Sequence, residues 1–145
     1  MSKNGTNAGS SSGAGRGRLG FELSPLAASR RDVLVDADVR KLDKALSYDA
    51  GFHVGKGGSG PSSVKGRYSE ARSFIATARE SGGKVHATEV HLGKDGRPHV
   101  GDGRHRFAAI RDSGRRSVPV AVPRAQAARF ARLFGRTSPG KRAQS

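Results

Sequence analysis

The chain has 145 residues, a formal net charge of +15 and no cysteine. That length suits one domain, and the absence of thiols excludes disulfides, thiolate metal sites and cysteine nucleophiles. No apolar run approaches the roughly 18 residues of a spanning helix and the basic start has no apolar stretch of a secretory signal, so a cytoplasmic protein without a membrane partner is expected.

Residues 1–20 are rich in Gly, Ser and Asn and hold a single leucine. They bury too little to offset the cost of ordering backbone and predict a flexible arm. Residues 136–145 predict a basic flexible tail, leaving 21–135 as the domain. The two ends carry Lys3, Arg16, Arg18, Arg136, Lys141 and Arg142, whereas all twelve acidic residues lie between Glu22 and Asp112. The domain still keeps a basic excess of its own, which favours an anionic partner.

In chain order, the β-branched run within 31–40 predicts a strand, and Leu42, Ala45 and Leu46 have the spacing of a short helix over 41–48. Gly55 to Gly66 holds five glycines in twelve positions and predicts a loop. Residues 68–81 predict the clearest helix, with Ala71, Phe74, Ile75 and Ala78 inward, Ser69 as N-cap and Gly82-Gly83 as the stop. A strand over 86–92 turns at Lys94-Asp95-Gly96 and returns over 97–100. A helix from Gly103 or Arg104 to Asp112 buries Phe107 and Ile110. An apolar strand over 118–122 follows, its Pro119 predicting an edge or an early strand position. A last helix turns Ala127, Phe130, Ala131 and Phe134 inward. The order predicts a small α+β domain with a mixed sheet packed by short helices.

The strand-to-helix junction at Gly101-Asp102-Gly103 concentrates the chemistry. The first N–H groups of a helix have no partner within it, and with the aligned peptide dipoles they favour an anion. Glycines let a ligand approach the backbone, and Arg104, His105 and Arg106 add donors in the same turn. Gly101, Gly103, Arg104, His105 and Arg106 are therefore candidate phosphate-binding residues. His105 and Arg106 are the preferred contacts, their alternatives being a backbone-bonded histidine and a surface ion pair. Arg104 has packing on the outer side as its alternative. Asp102 predicts a helix cap from its spacing; it is also the one candidate catalytic acid and Mg²⁺ ligand. A second carboxylate would have to come from Asp36, Asp38 or Glu89.

The stretch His99-Val-Gly-Asp-Gly-Arg-His-Arg-Phe-Ala-Ala-Ile-Arg-Asp-Ser-Gly-Arg-Arg-Ser-Val-Pro-Val-Ala-Val122 resembles the ParB/sulfiredoxin-like superfamily in its strand, Asp-Gly-x-His-Arg motif, short helix, glycine and strand. The resemblance extends over 33–122 and stops before the tails. It implies that Gly103, His105 and Arg106 hold nucleotide phosphates, with ATP or CTP and Mg²⁺ as the implied cofactors and hydrolysis or phosphoryl transfer as the implied chemistry. Members include CTP-binding chromosome-segregation proteins, ATP-using sulfiredoxins and kinases of free serine. Arg104 stands where sulfiredoxins have their reactive cysteine, which argues against sulfinic-acid reduction. The residues after Val122 are too few for the helix-turn-helix region of a partition protein.

Gly55 to Gly66 lacks the Gly-Lys-Ser/Thr of a Walker A loop. Lys56 and Lys65 are nonetheless candidate phosphate contacts if the loop closes over a nucleotide, with Arg67 and Arg72 beside them. The histidines have no metal-binding spacing. The competing expectation is a basic DNA-binding accessory protein that keeps the fold without catalysis, contacting phosphates through Arg111, Arg115, Arg116, Arg124, Arg129, Arg132 and the tails.

Overall fold

The computed structural model describes residues 19–136, so most of the expected arm and tail lies outside the described residues. Leu19 is already buried in the core, and Gly20 opens the first strand.

Thirteen short elements follow, two of them single 3-10 turns. Strand β1 (Gly20–Glu22) leads to helix α1 (Pro25–Ser29), then to β2 (Val33–Asp38) and α2 (Val39–Leu46). A loop containing a 3-10 turn at Lys56–Gly58 enters α3 (Arg67–Ser81). Next come β3 (Lys84–His86), β4 (Glu89–Leu92), β5 (Pro98–Asp102) and α4 (Arg104–Asp112). Strand β6 (Ser117–Val122), a 3-10 turn at Arg124–Gln126 and α5 (Ala127–Phe134) end the described chain. The fold is mixed α+β, as the sequence predicts.

The main sheet has the order β2-β6-β4-β5. β6 runs antiparallel to β2 from Val33↔Val122 to Asp38↔Ser117, and meets β4 in parallel at Glu89↔Ala121. A separate parallel pair, β1 with β3, sits beside it. Leu42, Phe107, Ile110, Val118, Val120, Val122 and Phe130 form the core between sheet and helices.

Five expectations change. Pro119 lies in the central strand, not at an edge. Ala121 N–H points toward β4, donating to Thr88 O at 2.8 Å. The ring nitrogen of Pro119, two residues earlier, points the same way, and there β6 has no ladder with β4; no bond is lost. The single strand predicted over 86–92 is split, because the chain leaves the β1 pair at His86 and joins the main sheet at Glu89. Ala87 and Thr88 are both buried in the crossing, which breaks strand alternation. In α3, Phe74 is 58% exposed and Tyr68 is buried in its place. Gly66, not Ser69, occupies the N-cap. In α5, Phe130 is fully buried but Ala131 faces solvent.

The elements β1 and α1 had no sequence expectation. Ser24 caps α1, its Oγ accepting Ala27 N–H at 3.1 Å with Pro25 next. That Ser-Pro pair is a readable helix start.

Candidate functional site

The junction between β5 and α4 forms as predicted, with a different cap. Gly103 takes the left-handed region at φ +95° and no side chain caps the helix, so Asp102 is not the N-cap. Gly103 O accepts Phe107 N–H at 2.8 Å and Thr88 Oγ1–H at 3.2 Å, which fixes the turn against β4. A Cβ at Gly103 would lie 2.7 Å from Arg106 Nη1 and 3.2 Å from Thr88 Cα. Only glycine leaves room there for the guanidinium to fold back over the turn.

The three basic side chains diverge as the helical pitch dictates. Arg104 lies over the ring of Phe52, its guanidinium carbon 4.7 Å from the centroid, and Nη2 donates to Ser62 O at 3.0 Å. His105 Nε2 accepts Val64 N–H at 3.0 Å, so the ring is neutral with its proton on Nδ1. Burial, and then the charges of Arg104 and Arg67, hold its pKa below the ordinary histidine value. Among the described residues Arg106 Nη1 is buried with no acceptor, as is Arg104 Nε. Two of the three motif side chains thus anchor the glycine-rich loop, and the third presents an unpaired cationic donor.

Around these residues is an open cleft of about 510 Å³. Gly101 to Arg106 form one wall, Phe52 and Val64 come from the loop, and Arg67, Glu70 and Phe74 come from α3. The exposure of Phe74 therefore belongs to the rim of this cleft. The sequence placed Arg67 near the site but gave no sign of Glu70 or Phe74, whose places depend on how α3 packs across α4, or of Phe52, which the loop brings in.

Lys56 and Lys65 are exposed and do not line the cleft, and neither does Arg72. The loop does use a backbone N–H to bind an anion, but the anion is internal: Gly57 N–H donates to Asp112 Oδ2 at 2.8 Å. Tyr68 Oη–H donates to the same oxygen at 2.7 Å. Arg111, expected as a DNA phosphate contact, is turned inward instead. Its guanidinium bonds Asp43 Oδ1 at 3.0 Å, Asp112 Oδ1 at 2.9 Å and Val54 O at 2.7 Å.

Of the candidate second carboxylates, the fold brings one to Asp102. Glu89 is its partner across β4 and β5, whereas Asp36 and Asp38 lie on β2 at the opposite edge of the sheet. Glu89 is buried and already satisfied: Oε1 accepts Arg30 Nη2–H at 2.7 Å and Oε2 accepts Ser24 Oγ–H at 3.0 Å. Asp102 is exposed and lines the cleft, with Glu70 the other acid in its walls. Among the described residues no group of three His, Asp or Glu side chains is placed to hold a metal ion. The donor set does not make a protein-held Mg²⁺ site.

Among the described residues no helix is long and apolar enough to cross a membrane. Comparison of the chain with protein-family models, curated proteins and solved structures gives no match.

Proposed function

We propose that this chain is a ParB/sulfiredoxin-like domain that binds a nucleoside triphosphate, ATP or CTP, by its phosphates in the cleft between α3 and the start of α4. The observation that carries the reading is Arg106 Nη1, a cationic donor held out of water with no acceptor beside uncapped helical N–H groups. A buried unpaired donor is costly, and an arginine fork at a helix start fits phosphate oxygens. Arg67 lies across the cleft as a second cation, and Gly101 and Gly103 let the ligand reach the backbone. His105, neutral and bonded to Val64 N–H, holds the loop that forms the facing wall. It is a positioning residue in this reading, and Arg106 is the direct contact. Mg²⁺ would arrive with the triphosphate, since among the described residues only Asp102 and Glu70 bring carboxylates to the cleft. Hydrolysis or transfer to a small alcohol is the chemistry proposed for the bound nucleotide, and no catalytic base is assigned.

Isothermal titration with ATP, CTP, GTP and their diphosphates, with Mg²⁺ present, tests this directly. Saturable binding by at least one triphosphate is expected, weakened about tenfold or more by Arg106→Ala, the loss of a charge-assisted hydrogen bond. Absence of saturable binding by folded protein, or an affinity untouched by that substitution, would overturn the site. Phosphate release or a phosphorylated acceptor then decides between hydrolysis and transfer.

A further inference from the structure

The two ends of α4 face different surfaces. About 13 Å of helix from the cleft, a second concave surface of about 800 Å³ opens between the start of α2 and the turn joining α4 to β6. Apart from Arg111, which is paired with Asp43 and Asp112, its cationic lining is Arg40, Lys41 and Lys44 from α2, Arg115 and Arg116 from the turn, and Arg136 at the last described position. The carboxylates within it are committed. Asp38 Oδ1 accepts Lys41 N–H at 3.0 Å, and Asp43 Oδ1 is shared by Arg111 at 3.0 Å and His53 at 2.8 Å. Among the described residues none of the six cations forms an ion pair.

We infer that this groove docks the phosphate backbone of duplex DNA without reading its bases. Like charges gathered on one concave surface repel one another unless a partner supplies the opposite charge. Several cations spread over a groove of this size suit a chain of phosphates better than a single one, and a duplex presents one charge per about 1.7 Å of its axis. Among the described residues no aromatic side chain lines the groove, so the base stacking that holds single strands has no platform there. Its one large apolar side chain, Val39, is 3% exposed, so there is no apolar face to enter a membrane interface. The contacts differ from those expected of the basic C-terminal residues: Arg124, Arg129 and Arg132 do not line the groove, Arg111 is internally paired, and α2 supplies three cations instead.

The test is fluorescence anisotropy of the full-length protein with a labelled 20-base-pair duplex over a potassium chloride series. The double substitution Arg40→Glu with Arg116→Glu, both exposed positions, is expected to weaken binding about tenfold or more and to lower the log–log salt slope by about two. Arg106→Ala is expected to leave duplex affinity unchanged, which separates this groove from the nucleotide cleft. Arg40→Gln with Arg116→Gln, checked by circular dichroism, carries the same expectation at smaller size should the charge reversal unfold the protein. The inference is overturned if the parent does not bind duplex, or if folded groove variants bind it as the parent does. It is overturned equally if single strands, polyglutamate or anionic vesicles are bound as tightly and lost with the same substitutions.

Discussion

Arg111→Met is expected to destabilise the fold by about 3 kcal/mol, the lower end of the cost of removing one partner from a buried ion pair. The Arg111 side chain is 13% exposed and joins three segments: α2 through Asp43, the loop through Val54 O, and its own helix through Asp112. Methionine keeps much of the volume but leaves two carboxylates with fewer donors. Asp43 keeps His53, and Asp112 keeps Tyr68 Oη–H and Gly57 N–H. Equilibrium urea unfolding reads the effect; a loss under about 1 kcal/mol would show that the network is solvated like a surface pair. The same network sets an acid limb. Burial raises the pKa of Asp112, but hydrogen bonds from Arg111, Tyr68 and Gly57 outweigh it and hold it at about 2, below its ordinary 3.8. The folded state therefore binds this proton less readily than the unfolded one. The stabilisation is fully present above about pH 4 and is lost as pH falls through 2, amounting to about 2 kcal/mol. Asp112→Asn should lower stability at neutral pH and flatten that part of the pH profile.

The sequence made the local features legible and left the contacts between segments hidden. The junction at Gly101 to Arg106, the Asp95-Gly96 turn and the helix ending at Gly82 follow from turn chemistry and helical spacing within a few residues. Tyr68 and Phe74 show where that reasoning stops. Both suit an amphipathic helix, and which of them is buried depends on Asp112, 44 residues away, which accepts the Tyr68 hydroxyl hydrogen bond. Arg111 looks like any solvent-facing cation in a basic stretch until the fold puts Asp43 beside it. Glu89 becomes the neighbour of Asp102 only through strand register, and the same fold ties it to Arg30 and Ser24. Ser24-Pro25 was a legible helix start that composition near the arm concealed. Pro119 misled because its rule concerns lost ladder bonds, and a strand whose second neighbour pairs at one position has none to lose there.

Gly103→Val is expected to disable the cleft and to cost about 3 kcal/mol in stability. At φ +95° a β-branched residue is strained by about 1–3 kcal/mol. The new side chain also meets atoms that cannot all yield. Arg106 Nη1, 2.7 Å from the Cβ position, can swing away, but Thr88 Cα at 3.2 Å is backbone held by Ala121 N–H bonding to Thr88 O. Overpacking of this kind adds about 1–3 kcal/mol. The turn must then open, pulling Gly103 O from Thr88 Oγ1 and turning the first N–H groups of α4 away from the cleft. Thermal unfolding monitors the first effect and triphosphate titration the second. Gly103→Ala separates them, because alanine keeps most of the backbone strain and the Arg106 clash with a smaller side chain. It is expected to lose less stability than valine and nearly as much triphosphate affinity. Equal triphosphate affinity in the alanine variant and the parent would mean that Arg106 does not need its place over Gly103, and that the buried Nη1 is not the phosphate contact.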